Sequence, residues 1–322
     1  MSGQVLVLVE TDDGGATEVS RETLTFARAL GADVHALVVG DGPAGLVEQL
    51  GAYGVSAVQH ADGDAFTSYA AAAWAAAVVT ASADASVVMA AGTPRGNEVM
   101  AHVACRLGVT MAANVVAVDR ADPLVVSRQV LGGAAMEEMQ LDGAVALLTV
   151  AGHACDPEPA AKGTDPVVSP LDVPVPASDL RARVVRTEPG DPDESGSLKT
   201  AKVVVGAGRG AGSADGFKDL LELTELLGGA LGVSRVVTSL GWRPHHEQVG
   251  QTGSRVSPDL YVACGISGAI QHWAGMSGSK TILAINSDPD APMVTKAHYA
   301  VIGDLHEIVP AINEELRRRR PA

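Results

Sequence analysis

Between Ser257 and Asp304 the chain gathers glycine, serine, glutamine, histidine and asparagine more densely than anywhere else. Leu260–Ala263 is an apolar run of strand length. Gly265-Ile266-Ser267-Gly268 then turns the chain into a short helix, and Thr281–Ile285 reads as the next strand. A strand, a glycine turn, a helix and a second strand belong to an α/β fold, with right-handed crossovers between parallel strands. The turn leaves backbone N–H groups at a helix start, where a phosphate or pyrophosphate can bind. Gln271 and His272 are expected one turn into that helix.

The same alternation runs through the start of the chain. Val5–Val9, His35–Val39, Ala57–His60 and Val87–Ala90 are expected strands. Helices are expected from Val19 to Leu30, Ala44 to Leu50, Phe66 to Thr80 and Thr93 to about Leu107. Thr93-Pro94 supplies an N-cap and a first-turn proline, and Gly108 a stop. Val115–Val118, Leu124–Val130, Met136–Leu141 and Ala144–Val150 are expected to be antiparallel strands, with Asp142-Gly143 as a hairpin signal. The stretch from Asp156 to Ser197 is rich in Pro, Asp, Glu and Gly, with Val173–Val175 and Leu180–Val185 as candidate strands. Within it, Glu188–Ser197 has linker composition.

The second half restarts the pattern. Ala201–Val205 is read as a strand, followed by a helix with Phe217, Leu220, Leu221, Thr224, Leu227 and Leu231 on one face. Val236–Thr238 is read as a second strand, and the last helix starts at Asp304. At 322 residues two domains are expected. They are residues 1–190, a parallel-sheet α/β domain with added antiparallel strands, and residues 201–322, a Rossmann-like domain, with a linker at 191–200. The core must be built from Ala, Val and Leu, because 47% of residues are hydrophobic but only 3% aromatic.

A formal charge of −15 argues against nucleic-acid binding and against an anionic membrane surface. The three cysteines, Cys105, Cys155 and Cys264, are far apart and form no metal spacing, as expected of reduced thiols in a cytoplasmic protein. No signal peptide is expected from the N-terminus. No window approaches the roughly 18 apolar residues of a spanning helix, so direct membrane insertion is not expected.

Gly206-Ala207-Gly208-Arg209-Gly210-Ala211 fits GxGxxA, the dinucleotide fingerprint. The acidic residue that should close the next strand is missing, since that strand is read as ending Thr238-Ser239-Leu240. Arg209 in a glycine turn can instead reach a phosphate. Ser234-Arg235 is read as the start of the second strand. Arg235 is expected near the carboxyl ends of neighbouring strands, as a fixed cation favouring an electron-rich, anionic cofactor state. Val249-Gly250-Gln251-Thr252-Gly253 is a polar glycine loop, preceded by Gln248, that can meet a heteroaromatic ring. His245-His246 has no partner at metal spacing. These residues leave open a nicotinamide-linked oxidoreductase using the GAGRGA turn, and the first domain leaves open a nucleotide-binding regulatory module.

The second half resembles the electron-transfer flavoprotein alpha subunit. The residues that carry this are Gly208–Gly210, Ser234-Arg235, Val249–Gly253, Pro258–Met276, Ala284–Met293 and Val301–Pro310. The resemblance implies an electron carrier with noncovalent FAD and no substrate turnover of its own. Arg209, Ser234 and Arg235 would lie along the flavin and phosphates. Gln248, Val249, Gly250, Gln251 and Thr252 would meet the ring, with Thr252 near N5. The turn Gly265, Ile266, Ser267 and Gly268 would hold the pyrophosphate. Gln271 and His272 would sit by the ring, and Asn286, Asp304 and Leu305 would reach the adenosine part. The resemblance further implies a heterodimer with a beta subunit that carries AMP or a second FAD. Electrons would come from acyl-CoA and related flavin dehydrogenases of fatty-acid β-oxidation and pass to a quinone oxidoreductase. Ser254, Trp273 and His298 depart from the family's usual residues.

Overall fold

The computed structural model describes residues 3–131, 135–152, 154–186, 198 and 201–319. These gather into two compact units: residues up to 186, and Leu198 with residues 201–319. The expected linker, 191–200, lies outside the described residues except at Leu198. That side chain is 2% exposed and packs in the second unit's core.

The first unit opens with β1 (Gln4–Leu8), a two-residue hairpin of β2 (Thr11–Asp12) and β3 (Gly15–Ala16), and α1 (Glu18–Arg28). It continues with β4 (Asp33–Val39), α2 (Leu46–Ala52), β5 (Ala57–Ala61), α3 (Ala71–Ala81), β6 (Ala85–Ala91) and α4 (Pro94–Leu107). Helix α4 has the expected caps. Thr93 accepts a hydrogen bond from the Gly96 N–H at 2.8 Å, and Gly108 stops the helix at φ 65°. Helix α3 starts at Ala71, not Phe66, because Thr67, Ser68 and Tyr69 are poor helix formers. Phe66 closes a separate 3-10 turn.

The remaining strands are β7 (Met111–Ala121), β8 (Leu124–Val130), β9 (Ala135–Leu141), β10 (Ala146–Val150) and β11 (Val167–Pro170). They complete a sheet ordered β11-β5-β4-β1-β6-β10-β7-β8-β9. Within this sheet, among the described residues, antiparallel pairing is confined to β7 with β8 and β8 with β9. The expectation for β10 is corrected: it lies between β6 and β7, parallel to both. Leu147 faces one core layer, while Leu148 and Val150 face the other. A strand apolar on both sides is stable only in the middle of a sheet covered on both faces. Thr149, fully buried within it, donates to Asn97 Oδ1 at 2.8 Å and accepts from the Asn114 N–H at 3.0 Å. The edge strand β11 was not anticipated. The candidate strands at 173–175 and 180–185 do not form: residues 177–180 make a 3-10 turn, while Val173, Val175 and Leu180 pack against the core.

The second unit holds five parallel strands, β12 (Val203–Ala207), β13 (Ala230–Val233), β14 (Leu260–Cys264), β15 (Thr281–Asn286) and β16 (Tyr299–Ile302), in the order β13-β12-β14-β15-β16. Its helices are α5 (Lys218–Leu227), α6 (Arg235–Ser239), α7 (Ile270–Trp273), α8 (Pro292–Lys296) and α9 (Leu305–Arg319). Helices α5 and α9 lie together, and the Asn313 amide of α9 donates to the Asp219 carbonyl at 2.8 Å. The second strand was misplaced in the sequence reading. Helix α5 ends at Gly228, which is left-handed at φ 61°, and Ala230–Val233 forms the strand. Val236–Thr238 belongs to α6. Ser234 and Arg235 therefore follow the carboxyl end of their own strand. Mixed α/β architecture with two parallel sheets is the fold class expected from the sequence.

Candidate functional site

In a doubly wound sheet the chain leaves the first strand in one direction and later returns to its other side, which opens a crevice at the carboxyl ends. Here that point lies between β12 and β14. A cavity of about 1030 Å³ occupies it, and the loop after every strand contributes: Arg209 and Gly210 after β12, Ser234 and Arg235 after β13, Gly265–Ser267 after β14, Asn286–Asp288 after β15, and Gly303–His306 after β16. Gln271 and His272 of α7 complete one wall.

The loops after β12 and β14 touch backbone to backbone. The Gly208 N–H donates to the Cys264 carbonyl at 2.9 Å, and the Gly210 N–H to the Gly265 carbonyl at 3.1 Å. A Cβ on Gly208 would stand 2.2 Å from the Gly265 oxygen, and one on Gly265 would stand 2.6 Å from Gly210 Cα. The glycines of the fingerprint are therefore used to bring two loops together. Two short 3-10 segments separate them from α5, which starts only at Lys218. The position that should carry an acid for a nicotinamide ribose is the end of β13, and it holds Ser234-Arg235. Both features weigh against the nicotinamide reading.

Charge in the cavity is divided along the sheet. Arg209 and Arg235 lie on the β12 and β13 side, and among the described residues neither guanidinium forms an ion pair. Asp288 and Asp304 lie on the β15 and β16 side. One oxygen of each carboxylate braces its own loop: Asp288 Oδ1 accepts from the Asp290 N–H and Asp304 Oδ1 from the His306 N–H, each at 2.9 Å. Asn286 Nδ2 donates to the Ile266 carbonyl at 2.9 Å and its Oδ1 accepts from the Asp288 N–H at 3.1 Å, tying the β14 and β15 loops together. Helix α7 is a single turn, too short to carry much of a helix dipole, so Arg209 and Arg235 supply the positive character.

Among the described residues, two lining side chains hold buried polar atoms without a hydrogen bond of ordinary geometry, Ser234 Oγ and His272 Nδ1. Burial depresses the His272 pKa to about 4, outweighing the opposing pull of the Val249 backbone. Its Nε2 meets the Tyr261 hydroxyl at 2.9 Å. Burial also pushes the Cys264 thiol, at the end of β14, up to about 12.

Eleven of the expected site residues line the cavity: Arg209, Ser234, Arg235, Gly265, Ile266, Ser267, Gln271, His272, Asn286, Asp304 and Leu305. Gln248, Val249, Gly250, Gln251, Thr252 and Gly268 do not. Gln248 and Val249 are buried and lie beside the end of β13 in a parallel bridge, with the Val249 N–H donating to the Val233 carbonyl at 2.9 Å. The Gln248 amide is spent between Thr238 Oγ1 at 2.8 Å and Thr252 Oγ1 at 3.1 Å. Gly250 lets its backbone approach Gln271, and the Gln251 N–H donates to the Gln271 carbonyl at 2.7 Å. Gln251 and Thr252 are thus exposed on a turn pinned to the cavity wall. Gly268, at φ 85°, makes room for Met293. Sequence reasoning missed Ser239, Asp288, Pro292 and His306. The run Ser287–Pro292, polar and proline-bearing after a strand, carried a signal for two of them.

The fold and site define an α/β protein with a large crevice at the carboxyl edge of a doubly wound sheet. Residues 197–277 match the electron transfer flavoprotein FAD-binding domain, and residues 5–175 match the electron transfer flavoprotein domain. The chain is 39% identical to the electron transfer flavoprotein subunit alpha of Mycobacterium leprae, the match covering 98% of this chain and 99% of the relative. It is 40% identical to that of Mycobacterium tuberculosis, over 98% and 99%, and 35% identical to that of Pseudomonas aeruginosa, over 96% and 99%. The chain belongs to the electron transfer flavoprotein alpha-subunit family, whose members are electron carriers rather than enzymes. Among the described residues no helix is long and apolar enough to cross a membrane, and no group of three or more His, Cys, Asp or Glu could hold a metal ion.

Proposed function

We propose that this chain is the FAD-bearing subunit of a cytoplasmic, heterodimeric electron carrier, with residues 201–322 as the FAD domain and residues 1–190 pairing with a beta subunit. The observation that carries the reading is the five-loop cavity, with two arginines that form no ion pair among the described residues at one end and two carboxylates at the other. That polarity suits a dinucleotide, whose phosphates take guanidinium groups and whose sugar hydroxyls take carboxylates. The unspent Ser234 Oγ and His272 Nδ1 also fit a cofactor with polar edges, because buried polar atoms are normally paired.

Bound FAD supplies the redox chemistry. In this reading Arg209 binds a phosphate and Arg235 holds a fixed positive charge toward the ring system. Ser267 and its turn offer backbone N–H groups to the pyrophosphate. Gln271 and His272 border the ring, with Gln251 and Thr252 meeting it from the pinned turn. Asn286 and Asp304 orient the adenosine part, Leu305 packing beside it. The beta subunit closes the site and carries AMP or a second FAD of its own. Electrons arrive from acyl-CoA and related flavin dehydrogenases in fatty-acid β-oxidation and leave to a quinone oxidoreductase.

The test is co-expression with the beta subunit, followed by heat release and chromatographic identification of the cofactor. One FAD per alpha chain, with visible flavin absorbance, is the expected result. A colourless complex, or one that reduces NAD unaided, overturns the reading.

A further inference from the structure

Tyr261 is the second residue of β14, fully buried, and among the described residues it is the largest such side chain in the second unit's core. Its ring occupies a slot that the neighbouring strand leaves open. A Cβ on Gly206 of β12 would stand 2.3 Å from the Tyr261 hydroxyl and 2.6 Å from two of its ring carbons. A glycine inside a strand marks such a close approach. The slot aims the hydroxyl at His272 Nε2, 2.9 Å away, with the two rings edge to face at 64°.

The chemistry of the pair fixes who donates. The phenol is buried, and burial keeps it protonated. Among the described residues its single hydrogen-bond partner is the imidazole. Were His272 to donate from Nε2, the phenolic proton would be left buried without an acceptor, which costs the desolvation of that donor. Turning the ring over would place carbon against the hydroxyl and orphan it altogether. Donation from Tyr261 to Nε2 avoids both outcomes and puts the imidazole proton on Nδ1. The Val249 backbone lies beside the ring, where its pull favours protonation. Among the described residues that approach falls short of a hydrogen bond of ordinary geometry, so Nδ1 keeps its proton uncommitted.

We infer that Tyr261 is a positioning residue for the cofactor site, locking His272 as a neutral Nδ1–H imidazole whose Nε2 is spent inside the protein. His272 then borders the cavity without charge. The cations left to meet an anionic ligand there are Arg209 and Arg235. The tautomer follows from the geometry of this chain alone, whereas its effect on a flavin rests on the function proposed above.

The test uses the full chain with its beta subunit, 15N-labelled at histidine, and His272→Gln to assign the resonances. In the unsubstituted protein Nδ1 is expected in the pyrrole-type range and Nε2 in the pyridine-type range. Tyr261→Phe keeps the ring and removes the hydroxyl. It is expected to move the Nε2 resonance and to shift the potential of bound flavin, with flavin content unchanged. A protonated Nε2 in the unsubstituted protein overturns the assignment, and that spectrum decides even if Tyr261→Phe fails to fold. An unmoved Nε2 resonance, or an unmoved potential, in Tyr261→Phe overturns the positioning role. Absence of flavin from the unsubstituted complex would count against the cofactor reading and leave the tautomer measurement intact.

Discussion

Gly265 offers a test of how the cavity is held open. It is left-handed at φ 60°, and a Cβ there would stand 2.6 Å from Gly210 Cα and 2.7 Å from Leu305 Cδ2. Alanine at this position incurs two costs. The left-handed backbone costs a residue with a Cβ about 1–2 kcal/mol. Overpacking against Gly210, a backbone that cannot rotate away, adds about 1–3 kcal/mol. Together they place Gly265→Ala about 2–5 kcal/mol below the parent protein. Gly228, at the end of α5, is the internal control. It is left-handed at φ 61°, yet a Cβ there meets nothing within 4 Å. Gly228→Ala should therefore lose only the backbone part, about 1–2 kcal/mol. Urea titration read by hydrogen exchange of β12–β16 peptides isolates the second unit in both variants. Cofactor retention gives the second readout: Gly265→Ala should release it and Gly228→Ala should keep it. Equal losses in the two variants, within about 0.5 kcal/mol, would refute the steric account of the β12 and β14 loops.

Arg235→Ala should weaken binding of an anionic nucleotide cofactor about tenfold to a hundredfold, the loss of one charge-assisted hydrogen bond, as measured by calorimetry on cofactor-stripped protein. An affinity within twofold of the parent's would remove Arg235 from the site. Glu10, buried at the end of β1 and bonded to Thr93, has its pKa raised above 4.5 chiefly by burial. A raised carboxylate favours the fold below 4.5, and that contribution is lost as pH rises through the folded value. Glu10→Gln should accordingly stabilise the first unit at neutral pH, with the gain vanishing below about pH 4.5 in thermal melts. The sign reverses for His272, whose pKa is lowered to about 4. Its contribution, about 3 kcal/mol, is complete above about pH 6.5 and fades as pH falls toward 4, so His272→Gln should flatten the acid side of the second unit's stability profile. Leu198→Ala should cost the second unit about 2–5 kcal/mol in the same exchange experiment, as expected for a core leucine.

The parts of the fold that the sequence displays are those with local causes. Thr93-Pro94 and Gly108 delimit α4 because capping acts within one turn. The strand and turn at Leu260–Gly268 are legible because an apolar run meets glycines at positive φ. The second strand escapes for a different reason. Leu227 and Leu231 stand at helical spacing, so Ala230–Val233 reads as the tail of α5 until Gly228 is known to be left-handed. What makes Ala230–Val233 a strand is tertiary: Gly232 is pressed against Val249, whose Cγ2 would be 2.7 Å from a Cβ there. Strand β10 escapes likewise, because an apolar run after Asp-Gly is equally compatible with a hairpin and with a crossing to the centre of the sheet. The site residues with distinctive side chains, Arg209, Arg235, Gln271 and His272, are visible in sequence. Asp288 and His306 acquire meaning only once β15 and β16 place their loops on the same edge.

The GxGxxA pattern shows how a motif can be present while its usual geometry is not. In a dinucleotide turn the glycines let a helix start directly over the pyrophosphate. Here Gly208 and Gly210 are close to another loop, and the helix they should open begins only after two 3-10 segments. The missing Cβ atoms serve the contact with Gly265, so the turn that received the phosphate assignment, Gly265–Gly268, is positioned by the fingerprint instead of competing with it. In the proposed reading this fits Arg235 standing at the end of β13 in place of an acid: with the fingerprint used as a spacer, a ribose hydroxyl would need no partner there. The carboxylates move to the opposite end of the sheet, at Asp288 and Asp304, and the cation takes their place. In the FAD reading proposed above, the crevice would therefore offer its cations on the β12 and β13 side and its carboxylates on the β15 and β16 side.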